Sequence, residues 1–395
     1  MSEIRNEVIT QLLDKFKLLH LYPGKRDYFT YIMVIVCSIL RCVQWIFAAK
    51  LIATNTGSVV TMTIGAKSIA VNFQATKIMA LLHENDLVYL LNNMDKFWHS
   101  DEAETVYKYC KLFLRIFTQS VFFTYIAILL VPIFILKILP FNGDYPVFPY
   151  SFWIFSFMQL FQFTYDVCIV LCVDCFFLCV SFFVYMQFKI LNERFAKLGF
   201  DHEILYSEAK ICVKYHKFLL RYTEKFSHMY SQALLAQYCI TSISVCIEIF
   251  VFTKQEFSQM PASILYVLSL ILQLSLYCFP ADLVSEEVFL IQNPSLSISE
   301  LRWQVTTAIS REVSRATHDN SRKALNVSEA IINSNWYNYP KFSKIYVQNI
   351  LQRSHKRVKF SAGGLVVLDK VAFTMIFKWS LSLYTLMRDI EKIVE

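Results

Sequence analysis

Seven windows of apolar residues, at about 28–49, 57–82, 112–139, 152–186, 228–252, 261–284 and 362–388, constrain this chain more than any motif in it. Each is long enough for a helix to cross a hydrocarbon core of roughly 30 Å. In lipid the backbone must satisfy its own polar groups, so the choice is between helices and a closed barrel. Barrel strands are about ten residues long, shorter than these runs, and seven glycines with nine prolines supply few hairpin turns. The sequence therefore predicts an all-α polytopic membrane protein with seven transmembrane helices. A surface suited to water is excluded, because 56% of the residues are hydrophobic and only 17% charged. The first residues, Met1-Ser-Glu-Ile-Arg-Asn-Glu, show no apolar leader or cleavage site, so no secretory signal peptide is expected.

Lysine and arginine fix the expected orientation. Five lie before the first window, eight between Lys189 and Lys225 and eleven between Arg302 and Lys359, whereas the alternate loops and the tail hold little beyond Lys50, Lys254 and Lys392. Basic residues accumulate on the cytoplasmic side, so the N-terminus is predicted inside and the C-terminus outside. This divides the chain into a cytoplasmic segment (1–27), four spans (28–186), a cytoplasmic connection (187–227), two spans (228–284), a second cytoplasmic segment (285–361), the last span (362–388) and an external tail (389–395). The orientation is opposite to that of G-protein-coupled receptors, and no Asp-Arg-Tyr closes the third span.

The cytoplasmic connections are patterned. Phe188, Leu191, Phe195 and Leu198, then Ile204, Ala209, Cys212, Val213, His216 and Leu220, recur at helical spacing, as do apolar residues from Val327 to Leu351. Two such faces in water predict a packed intracellular anchor region, with helices lying on the inner leaflet as the alternative. The basic repeat Leu301, Val305, Ile309 and Val313, interleaved with Arg302, Arg311 and Arg315, fits either a solvated or lipid-apposed helix or a calmodulin target. Asn326-Val-Ser is a glycosylation triplet on the cytoplasmic side and is expected to be unused.

Inside the spans, charged residues must face protein or water. Lys67, Lys77, Asp166 and Asp174 are therefore expected inside the bundle, with Lys67 a candidate partner for Asp166 or Glu248. In the last span Thr374, Lys378, Ser382, Thr385 and Asp389 fall on one side at spacings of 4, 4, 3 and 4, with Phe373, Ile376, Phe377 and Leu383 elsewhere. Such a seam fits a helix interface glued by hydroxyls or the wall of an ion path. Cys168, Cys172, Cys175 and Cys179 share a helix face at zinc-like spacing but lack a further ligand, so small apolar packing is expected and no metal site. All eight histidines lie outside the spans or at their edges, which leaves no His–acid pair for hydrolysis within them. No enzyme, cofactor or nucleic-acid partner is predicted. A transporter would show inverted repeats or broken helices, and none is found.

Three stretches resemble the insect odorant receptors: Ile211-Cys-Val-Lys-Tyr-His216, Ala330-Ile-Ile-Asn-Ser-Asn-Trp336-Tyr337, and Phe360-Ser-Ala-Gly-Gly364 followed by Phe377-Lys-Trp-Ser-Leu-Ser-Leu-Tyr-Thr-Leu-Met-Arg388. The length and inverted topology are similar as well. Against the related gustatory receptors, the ending lacks their usual Thr-Tyr motif with Gln-Phe. The basic connection around Arg302 to Lys323 is longer than is usual in the family. The co-receptor of that family has its long insertion after the fourth span, so the chain resembles a ligand-tuning subunit instead.

The resemblance implies an odorant-gated, non-selective cation channel in the plasma membrane of olfactory sensory neurons, a heterotetramer with the co-receptor whose pore is lined by the seventh helix. A gustatory-type channel is the nearest alternative, with a metabotropic receptor or transporter behind it. The family's odorant site lies in the outer half of the bundle, which here implies Asn72, Phe122, Tyr125, Ile126, Phe157, Phe161, Tyr165 and Tyr266 as ligand-binding residues for a small apolar volatile. For the pore, the chemical seam gives Thr374, Lys378, Ser382 and Thr385, whereas matching to the family's outer gate gives Tyr384 and Arg388. Arg388 would repel cations on the pore axis and is expected to pair with Asp389 or Glu391.

Overall fold

Six of the seven apolar windows hold helices longer than a hydrocarbon core is thick, and the second, at 57–82, falls almost wholly outside the described residues. The computed structural model describes residues 28–55, 83–141, 143–196, 202–254, 260–292 and 360–394, with isolated positions before 83. These form α1 (Tyr28–Thr54), α2 (Glu84–Asn93), α3 (Asp101–Tyr125), α4 (Ser151–Ala196), α5 (His202–Lys254), α6 (Met260–Gln292) and α7 (Lys370–Val394). A short 3-10 turn, Met94–Lys96, follows α2, and a π-helix, Ile126–Leu136, continues α3. The described architecture is all-helical apart from one two-stranded hairpin. Among the described residues four helices are long and apolar enough to cross a membrane: Tyr31–Thr54, Ser151–Arg194, Lys210–Phe250 and Val267–Ser285. The α7 helix falls short of that apolarity because its polar seam and Lys378 interrupt it.

Local chemistry sets the boundaries. Ser100 caps α3, its hydroxyl accepting the Ala103 N–H at 3.1 Å, and Asp101, Glu102 and Glu104 place negative charge on the first turn. Pro132 lacks an N–H, and the chain around it widens into the π-helix before Lys137 ends the rod at φ 57°. At a rise of about 1.5 Å per residue, α4 runs roughly 69 Å and α5 roughly 80 Å, so both continue far past a hydrocarbon core.

The core is built around α4, which packs most extensively against α6 and also meets α3 and α5. Phe177 is its hub, with ring centroids 4.9 Å from Tyr230, 4.9 Å from Tyr277 and 5.2 Å from Phe226. Cys172, Cys175 and Cys179 are buried in this same core, the packing role expected of them. On α1, by contrast, Ile32, Ile35, Ile39 and Ile46 point outward, a greasy face suited to hydrocarbon. The patterned residues at 188–220 divide between the end of α4 and the start of α5, where Phe188, Leu191, Cys212 and Leu219 are buried against one another. The segment 327–351, the basic stretch near 301–323 and Asn326 lie outside the described residues.

The last window differs from the sequence expectation. Helix does not begin near Leu365. Ser361–Ala362 pairs antiparallel with Val366–Val367, and the turn between them is closed by the Leu365 N–H on the Ala362 carbonyl at 3.0 Å. Gly363 and Gly364 both have positive φ, 59° and 73°, a backbone that residues with a Cβ resist. The Gly363 N–H donates to the Ser231 carbonyl at 2.8 Å, which seats the hairpin on α5. Asp369 then caps α7, accepting the Ala372 N–H at 2.7 Å. The helix continues through Asp389 to Val394, so the acidic end is its last turn and not a separate tail.

A Cβ on Gly363 would sit 2.5 Å from Leu235 Cδ2, whereas one on Gly364 meets nothing within 4 Å. Gly364→Ala should therefore cost only the backbone term of about 1–2 kcal/mol. Gly363→Ala adds a clash and should lower the unfolding temperature of the detergent-solubilised protein further. Equal melting of the two variants would mean that α5 yields freely at Leu235.

Candidate functional site

At the end of the bundle where α3 passes into the π-helix, a small aromatic cluster forms. Leu129, Ile133 and Phe141 are buried, with Tyr125, Leu160 and Phe163 packed against them. The Tyr125 hydroxyl bonds Thr164 Oγ1 at 2.7 Å, and its ring stacks near-parallel on Phe163 at 6.4 Å. Gln159 closes the floor: its Oε1 accepts the Phe141 N–H, and its Nε2 donates to the Phe141 carbonyl, both at 3.1 Å, and to the Tyr145 hydroxyl at 2.9 Å. Deeper along α4, Tyr165 is buried and Phe161 packs beside the main core, while Ile126 is half-buried.

Phe122 and Phe157, expected to share faces with these residues, instead lie on the outside of the chain at 59% and 70% exposure. The cause is angular. A step of three residues slips about 60° around a helix and a step of eight about 80°, enough to carry Phe122 away from Tyr125 and Phe157 away from Tyr165. Asn72 lies outside the described residues, and of Tyr266 only the helical backbone is described.

The same region holds polar atoms that no motif announces. Tyr165 Oη, Ser156 Oγ and both amide atoms of Gln44 are buried with no hydrogen-bond partner among the described residues. Gln44 stands three residues beyond Arg41 on α1, and Arg41 pairs with Asp166 on α4 at 2.6 Å. Lys67, the expected partner of Asp166 or Glu248, lies outside the described residues.

Farther along α4, Lys77 and Asp174 form an ion pair at 2.7 Å, with side chains 2% and 1% exposed. Lys77 also contacts the second carboxylate oxygen at 2.8 Å and lies 5.1 Å over the Tyr277 ring. Tyr277 donates its hydroxyl to Asp174, and Gln273 adds a bond at 3.2 Å. Gln237 extends the network, donating to Gln273 Oε1 at 3.2 Å and Thr241 Oγ1 at 2.9 Å. The placement of Lys77, Asp166 and Asp174 inside the bundle follows the cost of exposing charge to lipid.

The α7 helix has two distinct sides. Ala372, Ile376 and Ser380, spaced by four, are buried against its own chain. Ser380 Oγ donates to the Ser242 carbonyl at 3.1 Å, and Phe373 meets Phe279 at 5.4 Å. Thr374, Lys378, Ser382, Thr385 and Arg388 are exposed on the remaining surface, and Tyr384 is half-buried. Arg388 approaches Asp389 at 4.0 Å with both side chains largely in the open. The lysine and hydroxyls of the seam therefore turn away from the protein that supports them.

A family model described as 7tm Odorant receptor matches residues 48–293. The chain is similar in structure to the insect olfactory receptor OR5 from Machilis hrabei, with a TM-score of 0.73 at 12% identity over 97% of each chain. The structure of that receptor in complex with eugenol matches at the same score and identity over 98% of each chain. No curated protein matches in sequence.

Proposed function

We propose that this chain, which belongs to the odorant receptor family, is the ligand-tuning subunit of a heteromeric odorant-gated cation channel, assembled with a co-receptor subunit in the plasma membrane of olfactory sensory neurons. The observation that carries the channel reading is the exposed seam of α7. A lysine facing hydrocarbon at mid-depth costs several kcal/mol, so Lys378 and its flanking hydroxyls call for water or a neighbouring subunit on that side. A tetramer that turns four such seams toward a common axis supplies both. The basic loops favour seven spans with the N-terminus inside, as positive charge is retained in the cytoplasm.

In this reading a small volatile binds beside Tyr125 and Tyr165, and it gains affinity by burying apolar surface at about 25 cal/mol per Å². The Tyr165, Ser156 and Gln44 atoms, without partners among the described residues, add hydrogen-bonding capacity near that site, which favours ligands with one polar group on an apolar body. The OR5 receptor of similar fold has been solved with eugenol. Membrane lipid is the remaining partner, against the outward faces of α1 and α3.

The test is electrical. Co-expressed with the co-receptor, the chain should give odorant-evoked currents across a broad panel, absent with the co-receptor alone. Lys378→Ala and Tyr384→Ala, made separately, should change relative cation permeability. Full surface expression with silence across the panel would remove the channel reading, and unchanged permeability in both variants would remove α7 from the pore.

A further inference from the structure

Where α2 begins against α5, His83 and Asp86 meet His228, which lies 142 positions beyond Asp86 in the sequence. His83 precedes the first turn of α2, and its carbonyl accepts the N–H groups of Asp86 at 3.1 Å and Leu87 at 3.0 Å. That carbonyl fixes the backbone, while the imidazole makes no capping bond. Asp86, three residues on, shares the same side of the turn. From α5, His228 brings Nδ1 to 2.6 Å from Asp86 Oδ2 and its ring centroid to 4.9 Å from that of His83. One donor atom from each of the three lies within 4.8 Å of the others.

We propose that His83, Asp86 and His228 form a zinc(II) site that ties the start of α2 to α5. Two imidazoles and one carboxylate suit zinc, with the fourth position left for water. Magnesium and calcium favour all-oxygen sets and fit this one poorly. Tetrahedral bonds of about 2.0–2.1 Å place donor atoms roughly 3.3 Å apart. His228 Nδ1 and Asp86 Oδ2 sit closer than that, at 2.6 Å, and all three donors lie within 4.8 Å of one another, so small side-chain rotations admit the ion. His228 is free to make them, since its side chain is 64% exposed.

Lys225 orients the carboxylate for the role. Lys225 takes Oδ1 at 2.8 Å and leaves Oδ2 facing the histidines. Lys225 acts as a positioning residue and contributes no donor atom to the ion.

Full-length protein, purified in detergent and stripped with a chelator, is titrated with zinc chloride by calorimetry. One zinc per chain is expected. His83→Ala and His228→Ala should each weaken binding by about tenfold or more, while His228→Cys, which restores a ligand, and Lys225→Met, which leaves all three, should retain it. Cobalt(II) in place of zinc should give the intense visible bands of a four-coordinate site. No saturable binding by the parent chain overturns the proposal, as does an affinity unchanged in the His83→Ala/His228→Ala double variant.

Discussion

Lys77→Met is expected to destabilise the protein by about 3–5 kcal/mol, because it leaves the Asp174 carboxylate charged and unpaired in a site almost closed to solvent. Gln273 and the Tyr277 hydroxyl would still donate to Asp174, but neither carries a positive charge to replace the ammonium. The prediction has a built-in control. In the double variant Lys77→Met/Asp174→Asn the charge is gone, while the amide oxygen still accepts from Gln273 and the amide nitrogen donates to the Tyr277 hydroxyl oxygen. The double variant should recover most of the loss. Both are read by thermal unfolding in detergent and by cell-surface yield, neither of which requires an odorant. A single variant that melts with the parent chain would show that Asp174 does not depend on Lys77.

That pair also marks how far the sequence could be read. The cost of charge in lipid was enough to place Lys77, Asp166 and Asp174 inside the bundle, but it carries no information about partners. Lys77 and Asp174 are 97 positions apart, and Arg41 and Asp166 are 125 apart, so each pairing is set by how helices align. The α7 seam was legible because spacings of 4, 4 and 3 determine a helix face without any neighbour. The start of that helix was misread for a local reason. Leu365-Val-Val-Leu368 extends the apolar window backward, and hydropathy outvoted the Gly363-Gly364 turn and the Asp369 cap that lay in the same stretch. The aromatic cluster was legible in composition but not in membership: helical slip moved Phe122 and Phe157 outward, and Gln44 and Ser156 carried no signal. His83, Asp86 and His228 illustrate the same limit, since only the His-x-x-Asp half of the set is local in the chain.

The second large effect is expected about 20 Å farther along α4, where Gln187→Leu should cost about 2–6 kcal/mol. Gln187 is fully buried and works as a clasp. Its Oε1 accepts the Trp98 N–H at 2.8 Å and the Tyr215 hydroxyl at 2.6 Å, and its Nε2 donates to the Trp98 carbonyl at 3.1 Å. Leucine preserves volume but strips the Trp98 carbonyl of this donor, and a buried polar group without a partner costs about 1–3 kcal/mol. The Trp98 N–H keeps only its longer bond to the Tyr215 hydroxyl, at 3.2 Å, and that hydroxyl loses its acceptor. The Trp98 ring is held between the Tyr215 ring, stacked at 3.7 Å, and the Arg194 guanidinium at 4.1 Å, so loosening its backbone disturbs three elements together. Gln187→Glu offers a second test: it keeps the acceptor but sets a buried carboxylate against the Trp98 carbonyl, and should melt no higher than leucine. If leucine instead melts with the parent chain, the stacked rings alone hold α4, α5 and the Trp98 loop together, and the hydrogen-bonded clasp contributes nothing to that junction.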